Sequence, residues 1–451
     1  MSGVRIPDGS LKLRKGELNM KINTKTFIKT HEGAPAKNIT PEQQLRRSLM
    51  ACMLWEDTFY EDGQSIAERI ASLIPQVDPQ TAANMAIEAR EKMKLRHAPL
   101  WIVRQMAKLP EHKKLVAETL ERVIQRQDEL TEFIALYWMD GKQPLSKQVK
   151  KGLAKAFTKF DAYQLAKYDR KGLVRLRDVL FLCHARPKDK EQEETWRQLI
   201  DGILPVPDTW EVSLSAGKDK KETWERLLSE NKLGGLALLR NLRNMAQVGV
   251  KEELIFTALD RIRTEKILPF RFIAASKHVP QWENHIEKAM LKCLDAREKL
   301  PGKTVLLVDV SGSMENPISH KSDLMRYDAA NGLAILAREL CEQVAIYSFS
   351  DDIVRIPDRH GFALSDAILN SQCHGWTYLG GAVNHLNKNE QYDRIIVITD
   401  EQSSDPVPNP KGKGYMINVS SNQNGVGYGA WTHIDGWSEA VIDYILEYEK
   451  L

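Results

Sequence analysis

A strand-and-loop segment at residues 303–314 constrains the fold of this chain more than any other stretch. Residues 304–308 are apolar or β-branched without alternation, which is typical of a strand buried on both faces of a parallel sheet. Asp309 follows this strand, at the edge where open α/β sheets bind ligands. Ser311 and Ser313 add two hydroxyls on the same turn. The segment predicts either a site for a hard divalent cation or a cap for the next helix.

Two later segments favour the metal site. A second unalternated apolar strand at 395–399 ends at Asp400, so its carboxylate should reach the same sheet edge. A glycine-rich turn at 375–381 lies between the two strands and carries the hydroxyl of Thr377. This pattern resembles the metal-ion-dependent adhesion site of von Willebrand factor type A domains. The resemblance implies a divalent cation, Mg²⁺ first, with one coordination position open to an acidic residue of a partner and with five residues at the site: Asp309, Ser311, Ser313, Thr377 and Asp400.

The same residues argue against an enzyme. No nucleophile paired with a general base accompanies them, and a carboxylate near a metal is not by itself catalytic. A haloacid-dehalogenase phosphatase also begins with an aspartate at a strand end, but it needs a second aspartate two residues later. That position is Ser311 here. We therefore interpret the set as a binding site and expect no enzymatic activity.

Length and composition set the general class. A chain of 451 residues predicts two to three domains. No stretch approaches 18 unbroken apolar residues and no apolar run follows a basic amino terminus, so we expect a cytoplasmic protein, most simply a monomer. Five scattered cysteines without Cys-x-x-Cys spacing indicate reduced thiols that serve packing: Cys52, Cys183, Cys293, Cys341 and Cys373.

Charge is divided unevenly along the chain. Residues after 300 carry 11 Lys and Arg against 20 Asp and Glu, a net charge of −9, whereas the preceding residues carry +12. Such asymmetry points to a polyanionic partner for the first part and a different role for the second.

The hydrophobic pattern changes at the same point. Residues 1–24 are polar and predict a flexible arm, and residues 25–300 predict a succession of short helices. We interpret these helices as an α-solenoid of HEAT-like repeats, with a plain helical bundle as the alternative. Within them, the proline-containing and charged stretch 187–217 predicts a long loop or an insertion between helices. Residues 301–451 alternate between strand and helix and predict a doubly wound α/β domain.

The clearest two-faced helix covers residues 146–160. Apolar side chains lie on one face, and lysines recur every four residues on another, one helical turn or about 6 Å apart, which is comparable with the phosphate spacing of an RNA strand. No acidic residue interrupts the series, which consists of Lys147, Lys151, Lys155 and Lys159, with Lys150 beside it. The pattern favours a phosphate-binding surface, although a solvated lysine face is the alternative.

Basic density continues beyond this helix. Lys167 is followed by Tyr168, a ring on which a base could stack, and then by Arg170 and Lys171. His184 ends the next helix and is either an RNA contact or an ordinary helix-end histidine. Arg240 and Arg243 form a further polar face on a later helix, one that could line a channel.

Several of these segments together resemble the TROVE module of the Ro autoantigen family and its bacterial relatives. The resemblance is carried by residues 45–49, 144–153, 166–168, 176–184 and 238–242, followed by the metal-site domain. It implies a ring of HEAT-like repeats closed by a von Willebrand A domain. It also implies Y-type noncoding RNA on the basic outer surface, the single-stranded 3′ ends of misfolded RNAs in the central hole, and RNA quality control with an exoribonuclease. By position, the RNA contacts would include Lys167, Lys171 and His184, with Arg170 next to them.

Two classes of function follow from these observations. The first is a non-enzymatic RNA-binding scaffold, whose RNA contacts would be Lys147, Lys150, Lys151, Lys155, Lys167, Arg170, Lys171, His184, Arg240 and Arg243. The second is a protein-interaction module that grips an acidic partner through its metal site and has no function with RNA.

Overall fold

The computed structural model describes residues 28–450, except for 50–62, 170–171, 207, 216–218, 265–266, 268–269, 293–297, 319–323, 421, 423 and 437–439. The predicted arm at 1–24 and two predicted RNA contacts, Arg170 and Lys171, lie outside these residues. Among the described residues, no helix has both the length and the apolar character needed to cross a membrane.

The first part of the chain is helical, as predicted. Its described helices are α1 (Pro41–Leu49), α2 (Gly63–Leu73), α3 (Pro79–Glu91), α4 (His97–Lys108), α5 (Lys113–Val123), α6 (Asp128–Tyr137), α7 (Lys147–Phe157), α8 (Ala162–Tyr168), α9 (Leu176–Cys183) and α10 (Lys190–Asp201). They share one hydrophobic core that extends from Leu45 to Leu199. Gly152 explains the close packing of α5 and α7, because a Cβ there would lie 2.9 Å from both Ala117 O and Leu120 Cβ.

The prediction of a long loop at 187–217 is wrong. This stretch contains α10 and a short helix, α11 (Trp210–Ser215). Asp189 caps α10 by accepting a hydrogen bond from the Gln192 N–H at 2.8 Å. Trp196 and Leu199 are buried on its inner face. The many charged residues lie on the outer face. Their number made the stretch resemble a loop, although its buried residues follow the period of an amphipathic helix.

A second helical group follows and does not share the first core. It consists of α11, α12 (Lys220–Ser229), α13 (Gly235–Gln247), α14 (Glu252–Asp260), α15 (Phe270–His278) and α16 (Glu283–Leu291). The buried residues of α12–α16 belong to the same hydrophobic cluster as one face of the C-terminal sheet. The helical part is therefore divided between two cores, and the second core is continuous with the α/β domain.

The C-terminal domain is built on a six-stranded sheet. Its strands are β1 (Leu300–Asp309), β2 (Cys341–Phe349), β3 (Ile353–Arg355), β4 (Arg394–Thr399), β5 (Lys413–Asn418) and β6 (Thr432–Asp435), in the spatial order β3-β2-β1-β4-β5-β6. All neighbours are parallel except β2 and β3, which pair antiparallel. The predicted α/β alternation is confirmed, although β6 was not predicted.

Helices cover both faces of this sheet. Val305 and Leu307 of β1 pack on one side with α19 (Leu379–Asn389), whereas Leu306 and Val308 face the opposite core. On that second side lie α17 (Arg326–Glu339), α18 (Gly361–Leu369) and α20 (Ala440–Lys450). Burial of both faces explains why β1 and β4 have apolar residues without alternation. Strand order reverses between β1 and β4, so both predicted aspartates lie at the topological switch point.

The α/β domain contacts both ends of the helical part. On one side, Lys277 of α15 pairs with Asp328, and Glu287 of α16 accepts a hydrogen bond from the Phe362 N–H at 2.7 Å. On the other side, Thr30 Oγ1 donates to Ser403 O at 2.8 Å. Residues 373 positions apart are thus in direct contact.

A buried ionic cluster forms the centre of this second contact. Arg47 of α1 donates to Asn422 O at 2.6 Å and pairs with Glu401, and both side chains are buried. His433 Nδ1 lies 2.6 Å from Glu401 Oε1, and its Nε2 donates to Asp435 Oδ1 at 2.7 Å. Burial alone would lower the pKa of His433, but the charges of Asp435 and Glu401 raise it to about 9. We call these four charged residues the closing cluster: Arg47, Glu401, His433 and Asp435.

Candidate nucleic-acid interface and metal site

The basic face of α7 is fixed by the apolar face opposite to it. Ser146 caps the helix, since its Oγ accepts from the Val149 N–H at 3.4 Å, and Val149, Leu153 and Phe157 are buried. Lys147 and Lys151 are exposed, and Lys150 is half-buried. None of these three lysines forms an ion pair with another residue that the structure describes, so their charges face solvent or a ligand.

The other two lysines of the series contact α5. Lys155 Nζ lies 3.0 Å from Glu121 Oε2, and Lys159 Nζ donates to Ile124 O at 2.5 Å. Glu121 therefore relieves part of the repulsion among the lysines of α7, which has no acidic residue of its own. Because Lys155 is exposed and the Glu121 side chain is about one third exposed, the pair contributes less than about 1 kcal/mol, and a phosphate could replace its carboxylate.

The predicted Lys-Tyr segment lies at the end of α8. Lys167 Nζ is 4.0 Å from Glu211 Oε1 on α11 and 5.9 Å from the centroid of the Tyr168 ring. Arg126 also approaches this ring, with its Cζ 5.1 Å from the centroid. The ring that was predicted to stack on a base therefore already has two cationic neighbours.

His184 follows the last residue of α9 and has a left-handed backbone, with φ at +54°. Its side chain is exposed, and it forms no hydrogen bond with any other residue in the described part of the chain. The alternative of a histidine satisfied by helix-end carbonyls therefore receives no support, and the ring is available to a ligand.

Arg240 and Arg243 lie three residues apart on α13 and are both exposed. The buried residues of α13 belong to the second core, whereas those of α7 and of α9, which ends next to His184, belong to the first. The predicted RNA contacts that the structure describes therefore lie on two helical groups with separate cores.

The predicted metal residues lie on three loops that hydrogen bonds hold together. The Gly312 N–H donates to Gly375 O at 3.1 Å, which joins the first loop to the loop that carries Thr377. The Ser404 N–H donates to Thr377 O at 2.8 Å, which joins the second loop to the one after Asp400. Within the first loop, the two serine hydroxyls are 3.3 Å apart. These hydrogen bonds bring the three loops, and with them the five predicted side chains, to one edge of the sheet.

Two buried carboxylates give this edge its electrostatic character. Asp309 and Asp400 are both fully buried. Burial, followed by the charge of Asp400, raises the pKa of Asp309 to about 7, although hydrogen bonds from Ser311 and Thr399 oppose the shift. A carboxylate pair of this kind favours a nearby cation.

Arg326, which the sequence did not predict, supplies one positive charge. It lies at the start of α17, is fully buried, and donates to Asp400 Oδ2 at 3.1 Å and to Ser313 O at 3.2 Å. Nothing in the local sequence marks it, because an arginine at a helix start is ordinarily exposed.

The donor set fits a hard cation. It offers carboxylate and hydroxyl oxygens, which Mg²⁺ and Mn²⁺ prefer. No group of three His, Cys, Asp or Glu that could hold a metal occurs among the described residues, which argues against a zinc site there. Asp309, Ser311, Ser313, Thr377 and Asp400 would hold the ion, and Arg326 would compete with it for Asp400.

Binding of Mn²⁺ as a probe tests this site. We expect Thr377→Val to weaken Mn²⁺ binding by at least about tenfold, because the change removes a hydroxyl donor and preserves volume. Electron paramagnetic resonance of free Mn²⁺ measures the affinity. Ser365→Ala is the control, since Ser365 bonds to Asn331 Nδ2 on another part of the domain and should leave the affinity unchanged. Equal affinities for all three proteins would contradict the assignment.

Comparison with known families gives one match. Residues 202–323 match the family model of the TROVE domain. The matched segment extends from the end of α10 through α11–α16 to the first metal loop. The basic helix α7 lies before it.

Comparison with individual proteins gives two kinds of relative. Telomerase protein component 1 of Mus musculus is 35% identical over 86 residues, which are 18% of this chain and 3% of the mouse protein, and its Rattus norvegicus counterpart is 34% identical over 86 residues. The crystal structure of the Deinococcus radiodurans Ro (RSR) protein matches with a TM-score of 0.59 at 16% identity, covering 91% of this chain and 99% of that one.

Proposed function

We propose that this chain, whose residues 202–323 match the TROVE domain, is an RNA-binding ribonucleoprotein scaffold without enzymatic activity. It binds small noncoding RNA of the Y type on the basic helices and serves noncoding RNA quality control, together with a nuclease that the RNA recruits. The cytoplasmic location and the monomeric state expected from the sequence belong to the same proposal.

The basic face of α7 carries this proposal. Lys147, Lys150 and Lys151 lie on a helix whose opposite face is buried, so their main-chain positions are fixed before any ligand binds. They have no acidic partner among the described residues, and no ion pair has to be broken when phosphates approach. Lys and Arg contacts to phosphates release counterions, which makes the affinity strongly dependent on salt.

Contacts of the α/β domain with both ends of the helical part support the second part of the proposal. The α/β domain contacts α15 and α16 on one side and the segment that begins at Lys29 on the other. We infer that the helical part and a von Willebrand A-type domain together surround a central hole. Single-stranded 3′ ends of misfolded RNAs would enter this hole, and Arg240 and Arg243 would contribute to its lining.

Salt-dependent RNA binding tests the proposal. Changing Lys147, Lys150 and Lys151 together to Ala should lower the slope of log affinity against log salt by about two to three, at about 0.7–0.9 per lost phosphate contact. Filter binding of a small structured RNA between low and moderate salt measures that slope. The exposed lysines Lys113, Lys114 and Lys251, changed together to Ala, form a control with the same loss of charge. Equal slopes for the two triple variants would mean that α7 is not the RNA surface.

A metal-dependent protein-docking function is the second candidate. The exposed rings of Trp376 and Tyr378 flank Thr377, in a domain with a net charge of −9 that suits a protein partner better than RNA. An acidic residue of the partner would complete the coordination of the cation. Purified protein that carries no RNA by its 260/280 nm absorbance ratio, and that loses its partner when EDTA is added, would favour this candidate over the first.

A further inference from the structure

A cavity of about 340 Å³ opens beside the basic face of α7. This volume lies at the lower end of the range of small-ligand pockets, about 300–1,000 Å³. The end of α6, the loop after it, α7 and α9 all contribute to the wall. The lining contains two lysines and no acidic residue, and consists of Trp138, Lys142, Gln143, Pro144, Leu145, Lys150 and Leu182.

Trp138 provides a flat and oriented surface in this cavity. Its indole Nε1 donates to Gln143 O at 2.7 Å, so the ring is held by the loop that follows it. Lys142 Nζ lies 5.2 Å from the ring centroid, in a cation–π contact. An unpaired nucleobase has a π face that can stack on indole in place of this ammonium. Lys142, which is exposed, can then pair with the phosphate of the same nucleotide.

Lys150 connects the cavity to the proposed RNA surface. It is half-buried on α7, next to the exposed Lys151, and its charge acts on the thiol of Cys183 on α9. It therefore lies between the lysine face and α9, whose end carries His184. An RNA strand bound along α7 would pass the mouth of the cavity.

The acidic residue nearest in sequence does not oppose an anion here. Asp140 lies two residues after Trp138, but its carboxylate is 2.7 Å from Arg104 Nη2 and 2.7 Å from Lys108 Nζ. Its charge is compensated by these two cations. The rim of the cavity is thus left with the charges of Lys142 and Lys150, neither of which forms an ion pair among the described residues.

We propose that this cavity binds one unpaired nucleotide of RNA, with the base stacked on Trp138 and the phosphate held by Lys142 and Lys150. The inference rests on the proposed RNA-binding function and adds to it a site that distinguishes RNA with an unpaired segment from a continuous duplex. A paired base cannot enter, because its partner strand holds it in the stack.

Comparison of two RNAs tests the site on the full chain. One is a blunt hairpin, and the other is the same hairpin with a short unpaired 3′ tail of uridines. Wild type should bind the tailed RNA more tightly. Trp138→Ala should weaken binding of the tailed RNA about tenfold and leave the blunt hairpin unchanged. Trp138→Phe should retain most of the preference, since it keeps an aromatic face.

Further measurements test the nucleotide site even if Trp138→Ala does not fold. Lys142 is exposed, so Lys142→Glu should fold and lose the tail preference, whereas Lys251→Glu, with the same change of charge, should retain it. A 4-thiouridine in the tail should crosslink to a peptide that contains residues 138–150. If wild type binds both RNAs and these variants keep the tail preference, the nucleotide site is wrong and the RNA function stands. If wild type binds neither RNA, both proposals fail.

Discussion

Replacement of Arg47 by Met is expected to lower the free energy that holds α1 to the α/β domain by about 3–5 kcal/mol. Arg47 is buried against Glu401, and its guanidinium also donates to Asn422 O and Asn424 O. Met preserves much of the volume, but it leaves the buried carboxylate of Glu401 with less compensation and removes the Arg47 hydrogen bond to Asn422 O, whereas Asn424 O keeps the Gln402 Nε2 donor. Native-state hydrogen exchange of residues 28–49 measures the free energy of this local opening.

The neighbouring Arg46 is a matched control. Its guanidinium lies 2.8 Å from Glu88 Oε2, but both side chains are about one third exposed. Water screens such a pair, and Arg46→Met should cost less than about 1 kcal/mol. Similar exchange rates in the two variants would show that burial of the Arg47 pair has no special role in holding α1 to the domain.

Stability at this contact should also depend on pH through His433. The folded pKa of His433 is raised to about 9, above the unfolded value of about 6.5. The stabilisation is therefore fully present below about pH 6.5 and is lost as the pH rises through 9. The shift corresponds to about 3 kcal/mol. His433 faces Glu401 and Asp435, with Arg47 bonded to the former and the Tyr428 ring stacked at 3.9 Å.

Thermal unfolding between pH 6 and pH 9.5 measures this effect. His433→Gln should remove most of the decline of stability with rising pH, because the variant has no imidazolium to lose. His360→Gln is the control, since His360 is largely exposed beside Glu339 in the same domain. A decline of the same size in His433→Gln as in wild type would rule out His433 as its source.

On the acid side, burial raises the pKa of Asp435 but the charge of His433 outweighs it and lowers the pKa, so this contribution is lost only as the pH falls below about 4.

Much of the fold was predictable because it depends on local periodicity. The helix α7 was predicted from its apolar stripe and lysine spacing, and β1 and β4 from their unalternated apolar runs. Helix α10 was not predicted because its charged surface residues concealed the apolar period. Strand β6 was not predicted because it has only four residues, Thr432–Asp435. A strand of that length gains its stability from pairing with β5 rather than from its own composition.

The candidate sites show the same limit more sharply. Asp309 and Asp400 could be paired from sequence, since both follow buried parallel strands. The presence of Arg326 beside Asp400, and of Glu121 beside Lys155, depends on how separate segments pack. The closing cluster joins residues separated by more than 350 positions, and no spacing in one sequence indicates such a partnership.

The order in which the chain is synthesised gives the contact between its two ends another consequence. Residues 28–49 are synthesised well before their partners at 401–433. At about 5–20 residues per second, tens of seconds pass between the synthesis of Arg47 and that of its partner Glu401. During that time Arg47, which is buried in the folded protein, has no buried partner for its charge. Helix α1 can therefore complete these contacts only after the C-terminal sheet has been synthesised.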